Sequence, residues 1–209
     1  MTTVTTAARR GERREPARLP EAPVGRTTGW WGMVLFICTE SATFAAALAS
    51  YFYLRFSGPG PWPPAADHPP ALLVPSVGTG VLILGCAPMA LAVRAAVRKG
   101  RLLMWVSLVV TLLTGTAFVV LQLVDYRGEW PDSTLSKDAY GSLFYSITGL
   151  HALHVAVGVI MVAVLVASAS LRRIGAGKGG PVRIVAMYWY FLSVLAVLVY
   201  GTVYISPYL

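Results

Sequence analysis

Five apolar runs, each long enough to cross a bilayer, decide what this 209-residue chain can fold into. A spanning helix needs about 20 mostly apolar residues at roughly 1.5 Å of rise each. The runs are Gly29 to Phe56, Leu72 to Val97, Leu102 to Tyr126, Tyr140 to Leu171 and Val182 to Ser206. Backbone N–H and C=O groups in lipid must be satisfied inside their own segment, which predicts an all-α fold, a membrane bundle of five helices over residues 29–209. Composition agrees: 56% of residues are hydrophobic and only 12% charged, too much apolar surface for a water-soluble fold of this length to hide. Pro75 and Pro88 fall inside the second run and should kink it or be re-satisfied by neighbouring helices.

The charges that remain report topology. The formal net charge of +8 is not read as nucleic-acid binding, because most of the basic residues lie in three short segments outside the apolar runs or at their ends. These are the tail with Arg9, Arg10, Arg13, Arg14, Arg18 and Arg26, the loop with Arg94, Arg98, Lys99 and Arg101, and the loop with Arg172, Arg173, Lys178 and Arg183. By alternation all three share one side, which the positive-inside rule assigns to the cytoplasm. The opposite loops are the proline-rich Gly58 to Pro70 and the acidic Arg127 to Asp138. The expected orientation is amino terminus inside and carboxyl terminus outside.

Residues 1–28 read as a disordered basic cytoplasmic tail without the apolar centre of a signal peptide, and Glu12, Glu15 and Glu21 argue against a mitochondrial transit peptide. Cys38 and Cys86 lie inside apolar runs and are expected to stay unpaired. Trp30, Trp31, Tyr51, Tyr53, Tyr126, Trp130, Tyr204 and Tyr208 stand near run ends, where amphipathic rings favour the headgroup level. Ala42, Ala45, Ala46 and Ala49 recur at helical spacing, a packing pattern. Gly175, Gly177, Gly179 and Gly180 with Lys178 read as a flexible linker, not a phosphate cradle.

Few residues could carry chemistry. Glu40 falls near the middle of the first run, where an ionised carboxylate costs several kcal/mol and should be protonated, paired or facing water. A proton, ion or headgroup contact and a purely structural hydrogen bond both stay open. His151 and His154, at i and i+3, share a face of the fourth helix. They could ligate a metal in a bundle, but the remaining ligands are missing, since the third histidine, His68, lies in an outer loop. One of the pair is expected to hydrogen-bond Glu40 or a backbone carbonyl. Gln122 and Asp125 form a second polar pair beside Tyr126, where proximity to the interface should solvate Asp125.

Trp31-Gly32-Met33-Val34-Leu35-Phe36-Ile37-Cys38-Thr39-Glu40 resembles a family segment in which a Gly-Met-x-Leu-Phe-like run ends in an intramembrane glutamate. Tyr140, Gly141, Ser142, Phe144, Thr148, Gly149, His151, His154 and Gly158 resemble, in register, the Tyr-Gly-Ser-x-Phe…Thr-Gly-x-His-x-x-His-Val-x-x-Gly signature of haem-copper (cytochrome c or quinol) oxidase subunit III. Gln122, Asp125 and Tyr126 are similar to its Gln-x-x-Glu-Tyr ending. The resemblance spans nearly the whole membrane part and implies the short five-helix bacterial form.

It further implies a multi-pass plasma-membrane subunit of an oxidoreductase complex in aerobic respiration. Such a subunit holds no redox centre itself, haem and copper belonging to subunits I and II. It packs on subunit I, holds phospholipid between helices and supports proton uptake and the stability of the complex, which can join a respiratory supercomplex. One departure stands out: where the family carries Trp-His-Phe-Val-Asp, this chain has Trp189, Tyr190, Phe191, Leu192 and Ser193. An accessory subunit of a nitric oxide reductase and a small membrane transporter are the rival readings. Against the latter stands the lack of a clear internal repeat.

Overall fold

The computed structural model describes residues 26–58, 62–64, 70–98, 100–129, 139–171 and 179–208. Most of the expected tail, His68, Trp130 and the larger part of the glycine linker lie outside the described residues.

Five helices have the length and hydropathy to cross a membrane, and the described residues contain no strand. The first is α1 (Thr28–Ser57). The second span divides into α2 (Leu73–Leu84) and α3 (Cys86–Val97). The divide falls at Gly85 because Pro88 has no N–H to offer the carbonyl of Leu84. Backbone bonds continue on either side, from the Gly85 N–H to the Val81 carbonyl (3.1 Å) and from the Met89 N–H to the Gly85 carbonyl (3.3 Å). Pro75 lies in the first turn of α2, where a missing N–H breaks no intrahelical bond. The remaining spans are α4 (Arg101–Glu129), α5 (Ala139–Ser170) and α6 (Gly180–Val199). The last span ends in a π-helical turn, Tyr200–Ile205, and a 3-10 turn, Ser206–Tyr208.

Helix α4 packs against α2 and α3 on one side and α5 on the other, while α6 lies against α3, α5 and α1. Of the apolar window of the last span 56% is buried inside the bundle, against 6% for α1, so α6 is the central strut and α1 the outermost helix. Trp189 on α6 is fully buried. Its ring fits only because Gly85 and Gly115 carry no side chain: a Cβ at Gly115 would stand 2.6 Å from the indole, and one at Gly85 3.2 Å from it. Gly158 admits Leu192 in the same way, at 2.7 Å. Close backbone approach through small residues is how helices associate without a hydrophobic driving force between them.

Two expectations change. Ala42, Ala45, Ala46 and Ala49 face outward instead of packing within the chain. The inward stripe of α1 is Met33, Ile37, Phe44, Ala47, Leu48 and Tyr51, whose larger side chains reach the core. Tyr51 and Tyr204 are not headgroup anchors, being 0% and 2% exposed. Each spends its hydroxyl inside the protein, Tyr51 on Ser206 Oγ at 3.1 Å. Exposed hydroxyls on α1 are satisfied locally: Thr39, Ser41, Thr43 and Ser50 donate to carbonyls three or four residues back.

Candidate functional site

Glu40 continues the inward stripe of α1 and stands about 18 Å along the axis from Thr28, close to the middle of a hydrocarbon layer of about 30 Å. It meets His154 of α5, with Nε2 and Oε2 2.8 Å apart and the side chains 12% (His154) and 20% (Glu40) exposed. His154 Nδ1 lies 2.7 Å from the Leu150 carbonyl of its own helix. A carbonyl only accepts, so Nδ1 carries a proton. Two forms of the pair then satisfy both imidazole nitrogens: a neutral imidazole accepting from a protonated carboxyl, or an imidazolium donating to a carboxylate. They differ by the position of one proton along one hydrogen bond, and both carry zero net charge. Neutrality is what lets the pair lie in lipid without the cost of a lone ion. The Tyr188 hydroxyl donates to the His154 carbonyl at 3.2 Å, tying α6 to the same point, and the Phe44 ring closes it from 5.3 Å.

His151 takes no part in this pair. It is 2% exposed, lies edge-on to Phe118 at 5.4 Å, and neither ring nitrogen has a hydrogen-bond partner among the described residues. It borders a cavity of about 10 Å³ shared with Thr79, Gln122, Tyr200 and Tyr204, about the space one water needs. The two histidines share a helix face yet turn to different neighbours. No group of three His, Cys, Asp or Glu side chains that could hold a metal occurs among the described residues.

Gln122 and Asp125 meet at 3.3 Å, but the expected solvation of Asp125 does not occur: it is 5% exposed. The Tyr204 hydroxyl donates to its Oδ2 at 2.6 Å, and Gln122 Nε2 donates to that hydroxyl at 3.2 Å. The π-helical turn brings Tyr204 and Tyr200 to face α2 and α4, and Tyr200 bonds Ser76 of α2 at 2.5 Å. Tyr126 does not join this network. It donates to Thr148 Oγ1 at 2.8 Å and so ties α4 to α5.

The departing positions on α6 also find their places. Ser193 accepts from Cys86 Sγ at 3.1 Å and donates to the Trp189 carbonyl. Both cysteines are free thiols. Tyr190 turns outward beside Arg26 and Arg183. Sequence reasoning missed the buried role of Tyr204, because an aromatic near a span end carries the same signal whether it anchors or bonds inward. No local pattern announces the π-helical turn that redirects it.

This architecture defines a class: a multi-pass helical membrane protein, held together by buried polar contacts between spans, with a net-neutral acid–imidazole pair at mid-depth. The family model for cytochrome c oxidase subunit III matches residues 23–208. The chain is 30% identical to the cytochrome c oxidase subunit 3 of Lumbricus terrestris over 185 residues, covering 85% of this chain and 70% of that protein. It is 30% identical to the probable cytochrome c oxidase subunit 3 of Mycobacterium leprae (strain TN), covering 83% of this chain and 85% of that one. The corresponding protein of Nocardia farcinica (strain IFM 10152) is 31% identical over the same shares. The chain belongs to the cytochrome c oxidase subunit III family. It is the third subunit of a haem-copper oxidase and a multi-pass protein of the plasma membrane, a partner of other oxidase subunits. Neither the nitric oxide reductase reading nor the transporter reading is favoured by these relatives.

Proposed function

We propose that the chain packs on the catalytic subunit I with its amino terminus in the cytoplasm, and that the Glu40–His154 pair supports proton uptake and the durability of the neighbouring redox centres. Haem and copper belong, in this reading, to subunits I and II, with phospholipid filling grooves of this chain. The observation that carries it is the 2.8 Å contact between Glu40 and His154 at mid-membrane, a geometry in which moving one proton along one hydrogen bond would leave the net charge unchanged. The outward face of α1, with Ala42, Ala45, Ala46 and Ala49 exposed, offers a surface that a helix of another subunit can approach closely. Supercomplex membership would use the same outer faces.

Two substitutions separate a proton role from a structural one. Glu40→Gln keeps a donor toward His154 Nε2 but removes the exchangeable carboxyl proton, whereas Glu40→Ala removes both. Purified through a tag on this chain, both variants should bring down oxidase with unchanged haem content in the reduced-minus-oxidised spectrum. Both should inactivate faster during turnover and show an altered pH profile. If the pH profile and inactivation rate of Glu40→Gln match wild type while Glu40→Ala alone is unstable, the pair is only a helix tie. A tag that recovers no haem-bearing subunits would remove the partner assignment itself.

A further inference from the structure

The Glu40–His154 pair leaves His151 without a role. Its imidazole is buried on α5, about 18 Å along the axis from Ala139 and so near mid-membrane. Neither ring nitrogen has a partner among the described residues. A neutral imidazole carries one N–H donor and one acceptor, and burying either unpaired is costly. Phe44 and Phe118 stand edge to face with it at 6.3 Å and 5.4 Å, and neither ring supplies a hydrogen-bonding heteroatom. A polar boundary is offered by the cavity of about 10 Å³ that His151 shares with Thr79, Gln122, Tyr200 and Tyr204.

The hydrogens of Tyr200, Tyr204 and Gln122 at this cavity are already spent. Ser76 donates to the Leu72 carbonyl, so the Tyr200 hydroxyl, 2.5 Å from Ser76 Oγ, is the donor in their bond. Tyr204 donates to Asp125, and Gln122 Nε2 gives its two hydrogens to Asp125 and to the Tyr204 oxygen. What the two tyrosines have left is oxygen lone pairs, to which His151 adds one nitrogen lone pair and one N–H. Both tyrosines reach the cavity through the π-helical turn, their rings stacked 5.9 Å apart.

We propose that this cavity binds a single water molecule, which bonds His151 to the tyrosine oxygens of the π-helical turn and so ties α2, α4, α5 and the end of α6 into one buried network. Volume sets the size of the guest, and hydrogen-bond direction sets its kind. About 10 Å³ admits one non-hydrogen atom. An anion or a diatomic gas has no hydrogen to give to a wall of acceptors, and ammonium would bring a charge to mid-membrane. Water donates as well as accepts, and a buried water makes about three hydrogen bonds, which His151, Tyr200 and Tyr204 can supply. The network runs on through Tyr204 to Asp125 of α4 and through Tyr200 to Ser76 of α2. It stops short of Glu40, because the Phe44 ring contacts both histidines, at 6.3 Å from His151 and 5.3 Å from His154, and has no atom to pass a hydrogen bond between them.

The test is a cryo-electron microscopy map of the oxidase complex purified through a tag on this chain, at a resolution that shows other buried waters. One isolated peak should stand about 2.7–3.2 Å from a His151 ring nitrogen and from the oxygen of Tyr200 or Tyr204. His151→Phe keeps a packed ring and removes both nitrogens, so its map should lose the peak. Thermal midpoints of the complex give a second readout. Either His151→Phe or Tyr200→Phe releases the same water, so the double variant should fall clearly short of the summed loss of the two single ones. A wild-type map without the peak, a peak too large for one water, or a His151 nitrogen bonded directly to a protein atom would each overturn the proposal. So would a peak that persists in His151→Phe, or midpoint losses that simply add. Where a variant does not assemble, the wild-type map decides alone. The site lies within this chain, so the result is independent of which subunits co-purify.

Discussion

At the scale of single residues, the bundle is held by a few buried polar atoms whose partners lie on other helices. Tyr204 illustrates the energetics. Its hydroxyl is the short donor to Asp125, so Tyr204→Phe leaves a buried acceptor short of a partner and should cost about 1–3 kcal/mol. The check is the thermal midpoint of the purified complex, and an unchanged midpoint would mean that Gln122 or another group takes over the carboxyl. Glu40 and His154 were legible as special because a titratable group inside an apolar run stands out against its background. Their pairing was one of several open possibilities until α1 and α5 were placed side by side. Asp125 misled for the opposite reason: distance from a span end measures depth along the helix and says nothing about which face is covered.

Helices show a different balance between sequence and packing. The five spans were readable because about 20 apolar residues in a row have few other uses. Where Pro88 would break the second span was readable to within a turn, since the missing N–H acts on a carbonyl four residues back. Which glycines matter was not readable. Gly115→Ala should destabilise the bundle by about 1–3 kcal/mol, because its Cβ would meet the Trp189 ring and Val159 at 2.6 and 2.7 Å. Gly80→Ala, with nothing within 4 Å, should be neutral or gain up to about 1 kcal/mol of helix stability. Thermal unfolding of the two variants side by side tests the contrast, and equal effects would contradict the tight seating of Trp189.

The whole molecule is set by which side of the membrane each loop meets and by which neighbours cover its outer helices. The proposed orientation predicts that a cysteine at Gly11 reacts with a membrane-impermeant maleimide only after the cytoplasmic face is opened. A cysteine at Ala66 should react in intact cells. The reverse pattern would invert the topology and move Arg26 and Arg183 to the outer leaflet. The exposure of α1 belongs to the same scale: a helix buried to only 6% inside its own chain is finished by lipid or by another subunit.

Hydrophobic length and a rare mid-span acid are properties of the chain in order, so the number of spans, the helical class and a short set of candidate residues could be taken from sequence. The partner of each polar atom is a property of distance between segments far apart in the chain. Only the packed bundle decided that His154 takes Glu40 while His151 stays beside Phe118, that Tyr204 turns inward to Asp125, and that Arg26 and Arg183 meet at one groove. The physical reason is that lipid makes every run apolar alike, leaving helix rotation and neighbour choice to close packing and to a handful of hydrogen bonds.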